Sequence, residues 1–125
     1  AIGFALHHPH RKHLPVERLD LAKIGSFEFR TPDEIRWPAL RLAREVMERG
    51  GMAGAVFNAA KETALDGFID GRLRFPQMAE VVEDVLTQLN SDTGLIDATM
   101  TLDNVLKTDH LARKVAWSAI EKRAG

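Results

Sequence analysis

The stretch FNAAKETALDGFIDGRLRF, residues 57 to 75, decides the fold. It continues MAGAV, residues 52 to 56, with almost no polar break, so the helix predicted over 52–70 begins apolar on nearly every side. A helix of that kind is central to a packed domain. Its small residues Ala53, Gly54, Ala55, Ala59 and Ala60 let neighbouring helices approach closely. Asn58 interrupts the apolar half, and a buried amide left unpaired costs about 1–3 kcal/mol. Asn58 is therefore expected to tie this helix to a neighbouring backbone or loop. Phe57 and Phe68 are expected in the core, Lys61 and Glu62 mark where the helix surfaces, and Gly71 is the stop.

Working outward, Pro38 forbids a helix running straight through from residue 31, because it lacks an N–H and its ring collides with the preceding turn. The pattern predicts a short turn near 32–36, with Thr31, Pro32 and Glu34 in capping-box positions. A fresh helix runs from Pro38 to Arg49, its stripe being Ala39, Leu42, Ala43, Val46 and Met47, with Gly50 and Gly51 closing it. Beyond the central helix, a third is predicted from Pro76 to Asn90 with Met78, Val82, Val85, Leu86 and Leu89 inward. A loop SDTGLIDATM follows, then a short helical piece capped by Thr101. Thr108 or Asp109 caps the last helix, which turns Ala112, Val115, Ala116, Ala119 and Ile120 inward. Four amphipathic helices with short connections give a mainly α fold, a four-helix antiparallel bundle preceded by an extended N-terminal segment.

That N-terminal segment has a different texture. AIGFAL (1–6) is a short apolar run that reads like the middle of a strand; having no Met, it is expected of a fragment beginning partway through a larger protein. Leu19 and Leu21, then Phe27 and Phe29, alternate with polar neighbours and suit short extended pieces. Two or three such pieces make no independent sheet, so partners elsewhere are expected.

Composition narrows the function classes. With 17 basic and 18 acidic residues the net charge is -1, which leaves no electrostatic footprint for nucleic acid or an anionic membrane. No apolar run reaches the length of a transmembrane helix. Without cysteine the chain has no disulfide, thiolate zinc site or cysteine nucleophile, a composition compatible with a cytosolic protein.

Four of the five histidines fall in HHPHRKH, residues 7 to 13. Imidazole is a common ligand for transition metals. A metal site, however, needs three or four ligands converging from a shaped scaffold. His7 and His8 point to opposite sides of an extended segment, and Arg11 and Lys12 put positive charge beside any cation. The tract is read as a solvated linker, and His110 as a surface or capping residue. Glu80, Glu83 and Asp84 lack a histidine at the spacing of a di-metal bundle. Gly50-Gly51-Met52-Ala53-Gly54 follows a helix rather than a strand and has neither the P-loop nor the GxGxxG spacing. No nucleophile–base pair assembles.

LRLAREVMERGG followed by AVFNAAKETALDGFIDGRLRF resembles the C-terminal part of the 1-deoxy-D-xylulose 5-phosphate reductoisomerase family. The matching residues are Asn58, Ala59, Ala60, Glu62, Phe68, Gly71 and Phe75; PVERLDLAKIGSFEF, PDEIRWPALRLA and DNVLKTDHLAR agree on the flanks. Phe57 and Lys61 depart from the family's usual Leu and Asn. The resemblance implies an oxidoreductase of isoprenoid biosynthesis that rearranges and reduces its substrate with NADPH and a divalent metal (magnesium, manganese or cobalt). The family has a Rossmann-type NADPH domain, a catalytic domain and a C-terminal helical domain. The metal carboxylates, phosphate-binding residues and mobile loop belong to the part preceding Ala1. No catalytic, cofactor-binding or metal-binding residue is therefore carried onto this chain, which alone is expected to be inactive.

On this basis residues 1–30 are a strand remnant and linker from the catalytic domain, and 31–125 the C-terminal helical bundle domain. The expected partners are the catalytic and NADPH-binding domains, in a cytoplasmic enzyme, with a homodimer left open and neither nucleic acid nor membrane involved. The alternative is a free-standing helical interaction module derived from the same domain, using the apolar surface left by the lost catalytic part. A metal-binding tract joined to a bundle is a third reading, removed if zinc titration shows no saturable binding.

Overall fold

Trp37 takes a non-helical conformation (φ -126°, ψ 69°) because the ring of Pro38 disfavours the helical one in the residue before it. The helix α3, Pro38–Arg49, therefore starts afresh at Pro38. The computed structural model describes residues 2–91 and 93–124. Among them the chain is helical, with no strand, and it divides into two units, Ala1–Thr31 and Pro32–Gly125.

In the first unit, the described part of AIGFAL, residues 2–6, is not a strand. Ile2–His7 forms a short helix, α1. A lone strand leaves its N–H and C=O groups unpaired, whereas a helical turn pairs them locally. Leu21–Ile24 is likewise one helical turn, α2, where alternation suggested an extended piece. Asp20 decides this: its Oδ1 accepts from the N–H groups of Ala22 (3.0 Å) and Lys23 (3.1 Å) and so opens the turn. Neither helix buries a residue.

In the second unit the residues before α3 make a turn, but Thr31 does not cap it. Asp33 Oδ1 accepts from Ile35 N (3.1 Å) and Arg36 N (2.9 Å), the local competition that short acidic side chains offer the backbone. In α3 only Leu42 is buried, Val46 packs partly against the core, and Met47, expected inside, is 78% exposed.

The central helix α4 is Ala53–Ile69. It buries Ala53, Val56, Ala59, Ala60, Thr63, Ala64 and Gly67, a face of mostly small residues at helical spacing. Thr63 Oγ1 donates to Ala59 O (2.9 Å), so the buried hydroxyl is satisfied within the helix. The helix closes on the expected glycine. Gly71 has φ 72°, its N–H donates to Phe68 O and that of Arg72 to Gly67 O, the paired bonds of a Schellman ending.

Helix α5, Phe75–Asn90, turns Val81, Val82, Val85, Leu86 and Leu89 inward. The expected loop at 91–100 contains a short helix, α6, Thr93–Ile96. Ile96 is fully buried, and its carbonyl accepts from Met52 N (3.0 Å). That anchor holds a segment whose composition reads as loop. Thr101 Oγ1 accepts from Asn104 N (3.2 Å) and caps α7, Leu102–Ala124. No second cap follows: nothing between 102 and 124 is Gly or Pro, and Thr108 is a buried mid-helix residue. Helices α4, α5 and α7 pack mutually, α3 lies on α4 and more lightly on α5, and α6 lies against α5. Among the described residues no helix is long and apolar enough to cross a membrane.

Candidate functional site

The histidine tract does not converge. His7 Nδ1 sits 2.8 Å from Gly3 O, His8 meets the edge of Phe4, and His8, His10 and His13 are exposed. Among the described residues no group of three or more His, Asp or Glu side chains is arranged to hold a metal ion. His110 is exposed on α7.

The acidic residues singled out on α5 are matched by guanidinium groups. Glu83 Oε1 accepts from Arg41 of α3 at 2.6 Å, Asp84 Oδ2 from Arg123 of α7 at 2.5 Å, and Glu80 lies 3.7 Å from Arg123. Arg41 also reaches Glu45 (2.8 Å), and these two carboxylates hold its proton more firmly than usual. At the glycine-rich start of α4, Met52 N donates to Ile96 O and Ala53 N to Gly50 O.

Asn58 is exposed, contrary to the expectation of a buried tie. The small residues beside it carry the packing, so the amide faces outward and its Nδ2 donates to Glu62 Oε1 (3.1 Å). Glu62 Oε2 accepts from Arg113 of α7 (2.7 Å), and Arg113 Nε donates to Asp109 (2.8 Å). The Arg113 guanidinium, then the Asn58 amide, hold the Glu62 carboxyl below its ordinary range. This α4–α7 cross-link was missed in the sequence because Arg113 lies 51 residues from Glu62; the Asp109/Arg113 spacing of four was the available signal.

An apolar groove of about 430 Å³ is bounded by the 34–36 turn, α3, α4 and α5. Leu42, Ala64 and Val82 form its floor, Phe57 and Met78 its walls, and Trp37, Phe75, Arg36, Lys61 and Glu80 its rim. Phe57 packs half-buried against the core, as expected, and also lines the groove, whereas Phe68 is 40% exposed, edge-on to Phe75 at 6.1 Å. Sequence reasoning missed the groove. Its signal was the pair of aromatics set directly before helix-starting prolines, Trp37-Pro38 and Phe75-Pro76. A second, polar cleft of about 320 Å³ lies between α5 and α7, with Arg123 already held by Asp84 across it.

Alanine-faced α4, flanking helices fastened by ion pairs and an open apolar groove define a helical packing domain. Residues 1–115 match the family described as DXP reductoisomerase C-terminal domain, and the chain belongs to that family. It is similar to the 1-deoxy-D-xylulose 5-phosphate reductoisomerase of Ruegeria pomeroyi, with 63% identity over all 125 residues, which are 32% of that protein. The enzyme of the same name from Jannaschia sp. is 53% identical over 122 residues, 98% of this chain and 31% of the relative. Among solved structures, the reductoisomerase from Zymomonas mobilis in complex with NADPH superposes with a TM-score of 0.75 at 35% identity, over 96% of this chain and 30% of that one. The chain thus spans about a third of the length of these relatives. The family suggested by Asn58 through Phe75 is the family matched.

Proposed function

We propose that this chain is the bracing domain of a 1-deoxy-D-xylulose 5-phosphate reductoisomerase, a structural element of an enzyme whose reacting groups lie in the rest of the protein. The observation that carries the reading is the family match over residues 1–115 in a chain only 32% as long as its relative. The four long helices α3, α4, α5 and α7 are read as an antiparallel bundle, supported by the short connections 50–52 and 70–74. Residues 1–30 are taken as the remnant and linker of the catalytic domain, in its helical rather than strand form, and the remainder as the bundle.

The larger enzyme would rearrange and reduce its substrate with NADPH and a divalent metal, in the cytoplasm. The residues here fit neither group: among the described residues no His, Asp and Glu set converges to hold a metal ion, and the glycine-rich start of α4 has neither the P-loop nor the GxGxxG spacing. No catalytic, cofactor or metal role is assigned to this chain, and no step of the reaction is routed through it. The partners are the catalytic and NADPH-binding domains; self-association belongs to the same proposal and is measured by sedimentation.

The test uses the full reading frame. The complete enzyme should oxidise NADPH in the presence of 1-deoxy-D-xylulose 5-phosphate, and a version lacking residues 32–125 should lose that activity or its thermal stability. Substrate-dependent NADPH oxidation by the 125-residue chain alone overturns the reading.

A further inference from the structure

The groove bounded by α3, α4 and α5 is built to be covered. Trp37 and Phe75 stand 48% and 62% exposed at its edges, Ile35 is nearly bare beside them, and Phe75 meets Phe68, so the apolar surface extends beyond the groove. Contiguous apolar surface of this kind marks an interaction face. Its charge is one-sided. The two cations on the rim, Arg36, which lies over the Trp37 ring at 5.3 Å, and Lys61, have no ion-pair partner among the described residues, whereas Arg41, close by on α3, is held by Glu45 and Glu83. Glu80, the one acid on the rim, is already oriented by Arg123.

We propose that the groove seats a segment of the parent reductoisomerase N-terminal to this chain, one that lays an apolar side chain on Leu42 and Val82 and sets a carboxylate against Arg36 and Lys61. This deepens the bracing reading by naming the face through which the brace works. Two observations select this occupant. The relatives are about three times as long as the chain, so a large covalently joined partner is implied. The polypeptide enters the helical unit at Pro32, three residues ahead of Ile35 at the groove's mouth. A tethered partner has a high effective concentration and needs only a modest intrinsic affinity. A second copy is disfavoured, since two such rims brought face to face would oppose like charges.

The test is oxidative footprinting of the full-length enzyme by hydroxyl radicals, read by mass spectrometry. Met47 and Met100, 78% and 69% exposed away from the groove, serve as controls. Trp37 and Phe75 should be oxidised several-fold more slowly than their exposure in the domain implies, while the controls react fully. Carbodiimide cross-linking should join Lys61 to a carboxylate upstream of Ala1. Arg36→Glu with Lys61→Glu should restore oxidation of Trp37 without changing helical content. Trp37 and Phe75 reacting at their full rate in the wild-type enzyme overturns the proposal, as does protection that disappears on dilution, which would identify a second copy. If the groove is open yet loss of residues 32–125 still abolishes activity, this proposal falls and the bracing reading stands.

Discussion

Gly51 and Gly71 both have positive φ, 54° and 72°, yet substitution should cost them differently. At Gly71 an added Cβ meets nothing within 4 Å, so Gly71→Ala pays only for the left-handed backbone, about 1 kcal/mol. At Gly51 the same Cβ would strike the carbonyl of Ile96, which is also the acceptor for Met52 N. Gly51→Ala should therefore cost about 2–4 kcal/mol, since it adds a lost buried hydrogen bond and a shift of α6 to the backbone strain. Urea unfolding of both variants checks the order; equal losses would mean that α6 gives way freely. At this scale sequence reading was uneven. Gly71 was recognisable because its role is local. Asn58 was misjudged because its neighbours looked apolar, when their smallness, not their burial on every side, was what the helix needed.

Helix α3 hangs on very little. Leu42 is its single buried residue, with Val46 partly packed, while α5 buries five. Leu42→Ala should cost about 2–5 kcal/mol, the usual range for a large-to-small change in a packed site. Its more telling effect is regional: amide exchange should accelerate first over residues 38–49, with α4 and α5 protected until global unfolding. Uniform acceleration across all helices would show that α3 unfolds with the rest. Thr101→Ala should cost about 1 kcal/mol and fray the start of α7, seen as faster exchange near residues 102–105. The long helices were legible because their apolar spacing and their Pro and Gly boundaries are local signals. Helices α1, α2 and α6 were not, because one or two turns are decided by a capping Asp20 or by a buried Ile96, which periodicity does not register.

At the scale of the molecule, ion pairs join helices that the core already packs: Arg41 with Glu83 from α3 to α5, Glu62 with Arg113 from α4 to α7, Asp84 with Arg123 from α5 to α7, and Arg49 with Asp97 beside α6. None of these pairings was readable in the sequence, where each acid and base looked like an ordinary solvated residue; the groove was hidden for the same reason, since both depend on which faces meet. The pairs make a pH prediction. Glu62 lies below its ordinary 4.5 because of Arg113 and then Asn58, and Asp97 below its ordinary 3.8 because of Arg49. A carboxylate whose pKa is lower in the folded than in the unfolded chain stabilises the fold above the unfolded value and loses that contribution as pH falls through the folded one. Stability from these two groups should therefore be flat from neutral pH down to the ordinary carboxylate range, then decline. Glu62→Gln keeps the hydrogen-bonding shape and removes the charge, so it should melt slightly below the wild type at neutral pH, with the gap closing below about pH 4.5. Because both side chains are open to solvent, added salt should narrow the neutral-pH gap as well. Thermal melts across pH and ionic strength decide the matter, and a gap that widens on acidification would show that Glu62 gains nothing from Arg113.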